Sequence, residues 1–153
     1  MSVYYMQGDL LKSKHHYLCH QVNCQGRMGS GIAKSIKEKW PAVYDVYMRD
    51  FEIGKCIGDV GVVGIQGNLP IQYILNLYAQ ENYGYDGRRY TSYDAFWNCL
   101  EEIRRIVPKG DTIGFPDHIG CGLGGANWEV IRTMIEEALG EDYEVYIYHL
   151  EGK

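Results

Sequence analysis

Apolar segments bounded by turn-forming residues predict six β-strands along the chain. Their lengths and their content of β-branched and aromatic residues are typical of strands. They are Val3–Met6, Tyr17–Val22, Asp59–Ile65, Gln72–Tyr78, Thr112–Pro116 and Glu144–Leu150. The third and fourth strands are joined by Gln66–Pro70, whose glycine, asparagine and proline favour a turn.

Between these strands, apolar residues recur at the three- and four-residue spacing of a helix. Four helices are predicted: Ser30–Trp40, Ala42–Phe51, Ser92–Val107, and one that Asn127 caps and Gly140 ends. Pro41 either ends the first helix or begins the second. The predicted buried stripes are Ile32, Ala33, Ile36 and Trp40 in the first helix, Tyr93, Phe96, Trp97, Leu100, Ile103 and Val107 in the third, and Val130, Ile131, Met134, Ile135, Ala138 and Leu139 in the fourth.

The alternation of strands and helices favours an α/β fold built as a three-layer α/β/α sandwich. In such folds ligands bind beyond the carboxyl ends of the strands. Two glycine-rich segments, Asn23–Gly31 and Ile119–Gly125, each follow a predicted strand and lead into a predicted helix. Both are therefore expected at the ligand-binding edge of the sheet.

Both glycine segments have the composition of phosphate-binding loops. Without a β-carbon the backbone amides approach an anion closely, and a helix N-terminus favours negative charge. Two such loops suggest a diphosphate held between them, the alternative being two tight turns with no ligand. The P-loop pattern fails because Ile32, not lysine, follows Gly31, and the dinucleotide fingerprint fails because Lys34 replaces its third glycine.

Composition and charge narrow the class of protein further. The 153 residues are expected to form one domain, 1–153. Their net charge of −5 argues against binding duplex nucleic acid through a basic surface.

The five cysteines form no Cys-x-x-Cys pair, which indicates reduced thiols in a cytoplasmic protein. No apolar run reaches the ~20 residues of a membrane span, so no membrane association is expected. We expect a monomer.

The chain is rich in tyrosine, and several of its 14 tyrosines fall within Tyr78–Tyr93. These rings either line a cleft or are half-buried residues of a strand and a helix.

Several motifs taken together make the chain resemble a macro domain, the ADP-ribose-binding α/β/α module. It looks most like the branch that processes ADP-ribose 1″-phosphate and the related terminal ADP-ribose glycohydrolases. The motifs are Gly8-Asp9-Leu10, then His20 and Asn23 before the first glycine loop, Met28–Ala33, Ile119–Leu123 and Trp128. The resemblance covers nearly the whole chain and implies a central mixed sheet, an ADP-ribose derivative as ligand and no cofactor.

The resemblance also implies which residues bind this ligand. Asp9, with Leu10 beside it, would accept a hydrogen bond from the adenine amino group, and Asn23 would contact the distal ribose. Backbone amides of the two loops would hold the phosphates, from Gly29, Ser30, Gly31, Ile32 and Ala33 and from Gly120, Cys121, Gly122, Leu123 and Gly124. The alternatives are that Asp9 caps a turn or helix and that Asn23 serves only the backbone of its loop.

At several positions the sequence lacks residues that catalyse the reactions of the macro-domain enzymes it resembles. Ala33 stands where macro domains that deacetylate O-acetyl-ADP-ribose carry an aspartate, and Gly124 stands where the related glycohydrolases carry one. The lysine nucleophile of those glycohydrolases has no counterpart in Tyr78–Asn82. Covalent lysine chemistry is therefore not expected.

The remaining candidates for catalysis are Asn23, His20, Asp86 and His118. An aspartate and histidine pair with loop amides would suffice for hydrolysis of a phosphomonoester. His20 has an alternative role as a core histidine, Asp86 as a turn residue before glycine, and His118 faces either the distal ribose or solvent.

Cys121 is a possible thiol nucleophile, because a helix N-terminus lowers the pKa of a cysteine, or a packing residue of its loop. No metal site is expected: strand alternation turns Cys19 and His20 to opposite faces, and no ligand pair has zinc-like spacing.

Three functional hypotheses follow. The first is a hydrolase that removes the 1″-phosphate from ADP-ribose 1″-phosphate. The second is a reader that binds ADP-ribose without turnover. The third is a de-ADP-ribosylating glycohydrolase or an O-acetyl-ADP-ribose deacetylase.

Overall fold

The computed structural model of the protein describes residues 2–67 and 70–150. Within these residues the chain forms six strands and four α-helices. The strands are β1 (Ser2–Gln7), β2 (Tyr17–Val22), β3 (Val60–Gly64), β4 (Tyr73–Tyr78), β5 (Thr112–Pro116) and β6 (Glu144–His149). The helices are α1 (Gly31–Lys39), α2 (Pro41–Glu52), α3 (Tyr93–Ile106) and α4 (Trp128–Leu139). Asn68 and Leu69, of the turn predicted between β3 and β4, lie outside the described residues.

The strands form one sheet in the order β1-β6-β5-β2-β4-β3. Every neighbouring pair is parallel except β3 and β4, which are antiparallel, so the sheet is mixed as predicted. Strands β2 and β5 pair only at their beginnings, through Tyr17 with Ile113 and Leu18 with Gly114. The chain leaves β2 toward one side of the sheet and β5 toward the other, so this pair is the switch point where parallel sheets bind ligands.

Hydrophobic residues cover both faces of the sheet, which makes the molecule a three-layer α/β/α sandwich. Alternate residues of β2 separate the two cores, with Leu18 on one face and Cys19 on the other. Helices α1 and α2 pack over Leu18 through Ile36, Val43 and other residues. Helices α3 and α4 cover the Cys19 face.

The predicted helix boundaries are confirmed by their caps. Asn127 accepts hydrogen bonds from the amides of Glu129 and Val130 at 2.9 and 3.3 Å. Ser92 accepts one from the amide of Ala95 at 3.1 Å. Pro41 occupies the first turn of α2. The backbone amides of a first turn have no acceptor within the helix, so a proline there removes no hydrogen bond.

Two residues of the predicted buried stripes are exposed instead. Trp97 keeps 37% of its surface and Val130 keeps 41%. Each lies one position from the centre of its stripe, beside Phe96 and Ile131, and that step rotates a side chain by about 100°. The prediction was wrong because it made the stripes too wide.

Within the described part of the chain, no helix is long and apolar enough to cross a membrane.

Candidate functional site

A cleft opens at the carboxyl ends of β2 and β5, where these strands no longer pair. The first glycine loop joins β2 to α1 and forms one wall, and the second joins β5 to α4 and forms the other. Both loops lie where the sequence predicted them, because the carboxyl ends of parallel strands share one edge of the sheet.

The cleft consists of two connected chambers. The loop chamber, of about 600 Å³, lies between the glycine loops and is also lined by Asn23, Gln80 and Tyr85. The Asp9 chamber, of about 750 Å³, is lined by Asp9, Leu10 and Tyr148, among others. The two share the junction, which consists of Gly31, Ile32, Pro116, Asp117 and His118. Each chamber alone falls in the range of roughly 300–1,000 Å³ that is typical of ligand sites.

Both loops present backbone amides without a protein partner. Helix α1 begins at Gly31, and its cap residue Ser30 makes no capping hydrogen bond with its side chain. The first amides of α1 therefore point out of the helix unsatisfied. In the second loop, no hydrogen bond among the described residues uses the amides of Gly122, Leu123 or Gly124. The amide of Cys121, in contrast, is donated to the carbonyl of His118 at 2.9 Å.

The glycines of the two loops differ in the space around them. A β-carbon on Gly29, Gly31 or Gly122 would meet no atom of residues 2–67 and 70–150 within 4 Å, so these glycines border open space in the cleft. A β-carbon on Gly124 would lie 2.5 Å from the carbonyl oxygen of Gly120 and from Oγ1 of Thr91. The position of Gly124, at which the resemblance to glycohydrolases implied an aspartate, is therefore closed to any side chain in this conformation.

Thr91 holds the second loop through side-chain hydrogen bonds. Its Oγ1 donates to the carbonyl of Gly120 at 2.8 Å and accepts from Nε2 of Gln21 at 2.8 Å. Nε2 of Gln21 also donates to Oε1 of Gln80 at 2.7 Å. The amides of Tyr90 and Thr91 donate to the carbonyl of Gly124 at 2.8 and 2.9 Å. This network connects β2, the segment after β4 and the second loop, and sequence reasoning missed it.

Asn23 lines the loop chamber and also organises its own loop. Its Oδ1 accepts from the amide of Gln25 and the hydroxyl of Tyr47, both at 2.9 Å, and its Nδ2 donates to the carbonyl of Arg27 at 2.9 Å. Asn23 therefore does support the backbone of its own loop, which was the alternative role that the sequence left open. An amide nitrogen carries two hydrogens, so one of them is left for a ligand.

Asp9 lines its chamber at the other end of the cleft. Its Oδ1 accepts the amide of Leu11 at 2.9 Å and so caps the short 3₁₀ helix Leu10–Lys12. A carboxylate has two acceptor oxygens. Asp9 can thus cap this helix through Oδ1 and still accept the adenine amino group through Oδ2.

Asp117 at the junction and His149 in the Asp9 chamber form a cluster with His118, and sequence reasoning overlooked both. The Nδ1 atom of His118 contacts Oδ1 of Asp117, and Nδ1 of His149 lies 2.9 Å from Oδ2 of the same carboxylate. The His118 ring stacks on Trp128 with centroids 5.0 Å apart. A signal was present, since Asp117 directly precedes His118 at the end of a strand.

Two of the four residues predicted for catalysis lie outside the cleft lining. His20 is fully buried in β2, where Nε2 lies 2.5 Å from Oδ1 of Asn76, and burial lowers its pKa to about 4. Asp86 accepts from the hydroxyl of Tyr90 at 2.7 Å and the amide of Arg88 at 3.2 Å, as a turn residue does. Asn23 and His118 do line it.

The remaining predicted residues also have defined places. Leu123 and Ile32 line the cleft, whereas Cys121 packs its side chain against the hydrophobic core. Burial raises the pKa of Cys121 to about 11, opposite to the shift that a thiol nucleophile needs. Among residues 2–67 and 70–150, no group of three histidine, cysteine, aspartate or glutamate side chains has the geometry to hold a metal ion.

The chain is similar to known proteins along most of its length. It is 45% identical over 189 aligned positions to an ADP-ribose 1″-phosphate phosphatase of Aspergillus oryzae, covering 94% of this chain and 92% of that one. It is 26% identical over 149 positions to a DNA ADP-ribosyl glycohydrolase of Thermus aquaticus, covering 94% of this chain but 40% of that protein.

The fold is similar to solved structures as well. The structure of the macrodomain of Thermus aquaticus DarG superposes with a TM-score of 0.80 at 26% identity, covering 96% of this chain and 97% of that one. The sequence pattern of the Macro domain family matches residues 19–135, which span both glycine loops. The chain therefore belongs to the macro domain family.

Proposed function

We propose that the protein binds ADP-ribose derivatives in the cleft and removes the 1″-phosphate from ADP-ribose 1″-phosphate. The observation that carries this proposal is a pair of facing loops at the switch point of the sheet, in which the first amides of α1 and the amides of Gly122, Leu123 and Gly124 have no partner among the described residues. The similarity to an ADP-ribose 1″-phosphate phosphatase over 94% of the chain supports the choice of reaction.

The proposal places the ligand along both chambers. The adenine lies in the Asp9 chamber, where the second carboxylate oxygen of Asp9 accepts its amino group. The diphosphate crosses the junction between the two sets of amides. The distal ribose lies in the loop chamber beside Asn23, and the 1″-phosphate extends toward Arg27 and the tyrosines Tyr83 and Tyr85, which also line that chamber.

Hydrolysis then requires few protein groups. A water oxygen attacks phosphorus, the bond from phosphorus to the 1″-oxygen breaks, and the leaving oxygen takes a proton while the water loses one. We assign proton transfer to His118, because it lines the loop chamber as well as the junction and Asp117 orients its ring. Loop amides and Arg27 would stabilise the charge on the phosphoryl oxygens.

Release of inorganic phosphate from purified protein and ADP-ribose 1″-phosphate tests the proposal. We expect release by the wild type and loss of release in Asn23→Ala. Gly67→Ala is a suitable control, since a β-carbon there also meets no atom of the described residues within 4 Å, and Gly67 is not among the described residues that line the cleft. Wild-type release no faster than that of Asn23→Ala would refute the proposal.

A reader of ADP-ribose without turnover is the second candidate. It is favoured by Gly124, because the packed loop leaves no room for an acidic side chain at that position. Micromolar ADP-ribose binding by calorimetry, together with inactivity on phosphate, acetyl and glycosidic substrates, would support it. Activity on a glycosidic substrate would instead support a glycohydrolase, which is what the name of the Thermus aquaticus relative describes.

We also propose a cytoplasmic, monomeric protein. All five cysteines are free in the structure, which suits a reducing compartment. Size-exclusion chromatography with light scattering tests the monomer, and fractionation of the source cells tests the location.

A further inference from the structure

The hydroxyl of Tyr47 lies beneath the first glycine loop and bonds to several groups of that loop. Tyr47 is on the buried face of α2, and none of its surface is exposed. The hydroxyl shares its proton between the carbonyl of Asn23 at 2.6 Å and Oδ1 of the same residue at 2.9 Å. It accepts from the amides of Gly26 and Arg27 at 3.1 and 3.2 Å. One buried hydroxyl therefore holds both ends of the segment Asn23–Arg27.

Little else in the described chain could replace this hydroxyl. No other hydrogen bond among residues 2–67 and 70–150 uses the amide of Gly26. The amide of Arg27 has one further contact, a long one of 3.4 Å to Oδ1 of Asn23. Burial raises the pKa of Tyr47 to about 12, so the hydroxyl keeps its proton at neutral pH. It is thus a permanent donor and acceptor for this segment.

The segment that Tyr47 holds is the part of the loop that the proposed function assigns to the distal ribose. Asn23 and Arg27 both line the loop chamber. The amides proposed for the diphosphate come later in the chain, from Gly31 onward. Because Tyr47 bonds to Oδ1 of Asn23, it also fixes the rotation of that side-chain amide and hence the place of Nδ2.

We propose that Tyr47 is a positioning residue that makes the cleft select ADP-ribose over ADP: it holds Asn23 ready for the distal ribose before the ligand binds. Tyr47 itself is fully buried and is not among the described residues that line either chamber, so it acts through Asn23. The inference rests on the proposed binding of ADP-ribose in this cleft, but not on turnover.

Calorimetry with ADP-ribose and with ADP, which lacks the distal ribose, tests the inference in Tyr47→Phe. Phenylalanine keeps the ring that packs in the core and removes only the hydroxyl. The amide of Gln25 still bonds to Oδ1 of Asn23, so the side chain is loosened rather than released. We expect ADP-ribose affinity to fall about five- to tenfold and ADP affinity to change less than about twofold. Equal losses for both ligands would overturn the inference.

A double-mutant cycle tests whether Tyr47 acts through Asn23. Asn23→Ala alone should weaken ADP-ribose binding. Adding Tyr47→Phe to Asn23→Ala should then weaken it by less than about twofold more, because the group that Tyr47 positions is already absent. A further loss as large as that in the wild-type background would overturn the inference.

Tyr143→Phe is the matched control. Tyr143 is also fully buried, but it lies in the other core, and its hydroxyl donates to the carbonyl of Val107 at 2.8 Å. This variant should also lose stability, yet it should keep wild-type affinity for both ligands. If Tyr143→Phe reproduced the selective loss for ADP-ribose, general destabilisation would explain the effect and the inference would fail.

Amide hydrogen exchange of the wild type tests the inference without any substitution. In the ligand-free protein the amides of Gly26 and Arg27 should exchange at least about tenfold more slowly than those of Gly122 and Leu123, which have no partner among the described residues. Equally fast exchange would show that Tyr47 does not order the segment, and would overturn the inference while leaving the proposed function intact. Absence of ADP-ribose binding by the wild type would overturn both.

Discussion

The two glycine loops have similar compositions but use their glycines differently. In the first loop, Gly29 and Gly31 border open space, so the missing side chains leave room for a ligand. In the second loop Gly122 does the same, but Gly120 and Gly124 are packed against protein atoms. Glycine thus has two roles here, access for a phosphate and close packing of the loop itself. Substitutions separate these roles.

Gly124→Ala should have the largest effect. Its β-carbon would lie 2.5 Å from the Gly120 carbonyl oxygen, and backbone cannot yield as a flexible side chain does. We expect the free energy of unfolding to fall by about 2 kcal/mol, a typical cost of overpacking. ADP-ribose affinity should fall at least tenfold, roughly 1.4 kcal/mol, because the loop amides are displaced. Urea unfolding and calorimetry measure the two effects. Wild-type stability in this variant would show that the loop is not packed as described.

Thr91→Val should have the next largest effect. Valine has nearly the shape of threonine but removes the hydroxyl that bonds to Gly120 and Gln21. Losing these two hydrogen bonds should cost about 1 to 3 kcal/mol of unfolding free energy, although the Gly120 carbonyl keeps the amide of Ala126 and Gln21 keeps Gln80. The loss of ligand affinity should be smaller. Thr91→Ser keeps the hydroxyl and should recover most of both losses. If valine and serine behave alike, the hydrogen bonds of Thr91 do not position the loop.

Gly122→Ala should affect ligand binding alone. The added β-carbon would meet no atom within 4 Å in the described part of the chain, and Gly122 is not among the glycines with positive φ, so unfolding free energy should change by less than about 1 kcal/mol. The added methyl occupies cleft space next to unpaired amides, and we expect ADP-ribose affinity to fall about tenfold. Gly67→Ala controls for the change in backbone entropy. Unchanged affinity for ADP-ribose in Gly122→Ala would place the phosphates elsewhere.

Hydrophobic periodicity was sufficient to predict the six strands, the four helices and their α/β/α layers. Strands Tyr17–Val22 and Thr112–Pro116 have the predicted bounds, because each is a short apolar segment bounded by polar or glycine residues. The positions of the two glycine loops could then be predicted, because each loop comes directly after one of those strands. Trp97 was misplaced because an apolar residue beside a buried stripe looks the same in sequence as one within it.

The hydrogen-bonded parts of the site could not be predicted in this way. Gln21 and Thr91 are 70 positions apart in sequence and meet only because the second loop lies between them, so no local pattern connects them. Asp117 and His149 meet because β5 and β6 are neighbours in the sheet, with Pro116 opposite Tyr148. Strand order was needed to pair them, and the sequence does not encode strand order in any local spacing.

The last prediction concerns Cys121 and affects neither the free energy of unfolding nor the ligand affinity. It tests whether this thiol is a packing residue of the second loop or a reactive group. Burial raises its pKa to about 11, so at pH 8 about one thiol in a thousand is ionised, against about one in ten for a pKa of 9. Labelling with iodoacetamide, followed by peptide mass spectrometry, should therefore modify Cys121 more slowly than the exposed Cys56. Its rate should still rise about tenfold per pH unit from pH 8 to 10. A Cys121 rate that is fast at pH 7 would instead identify a thiolate beside the phosphate-binding amides, and the packed loop would then be reactive as well.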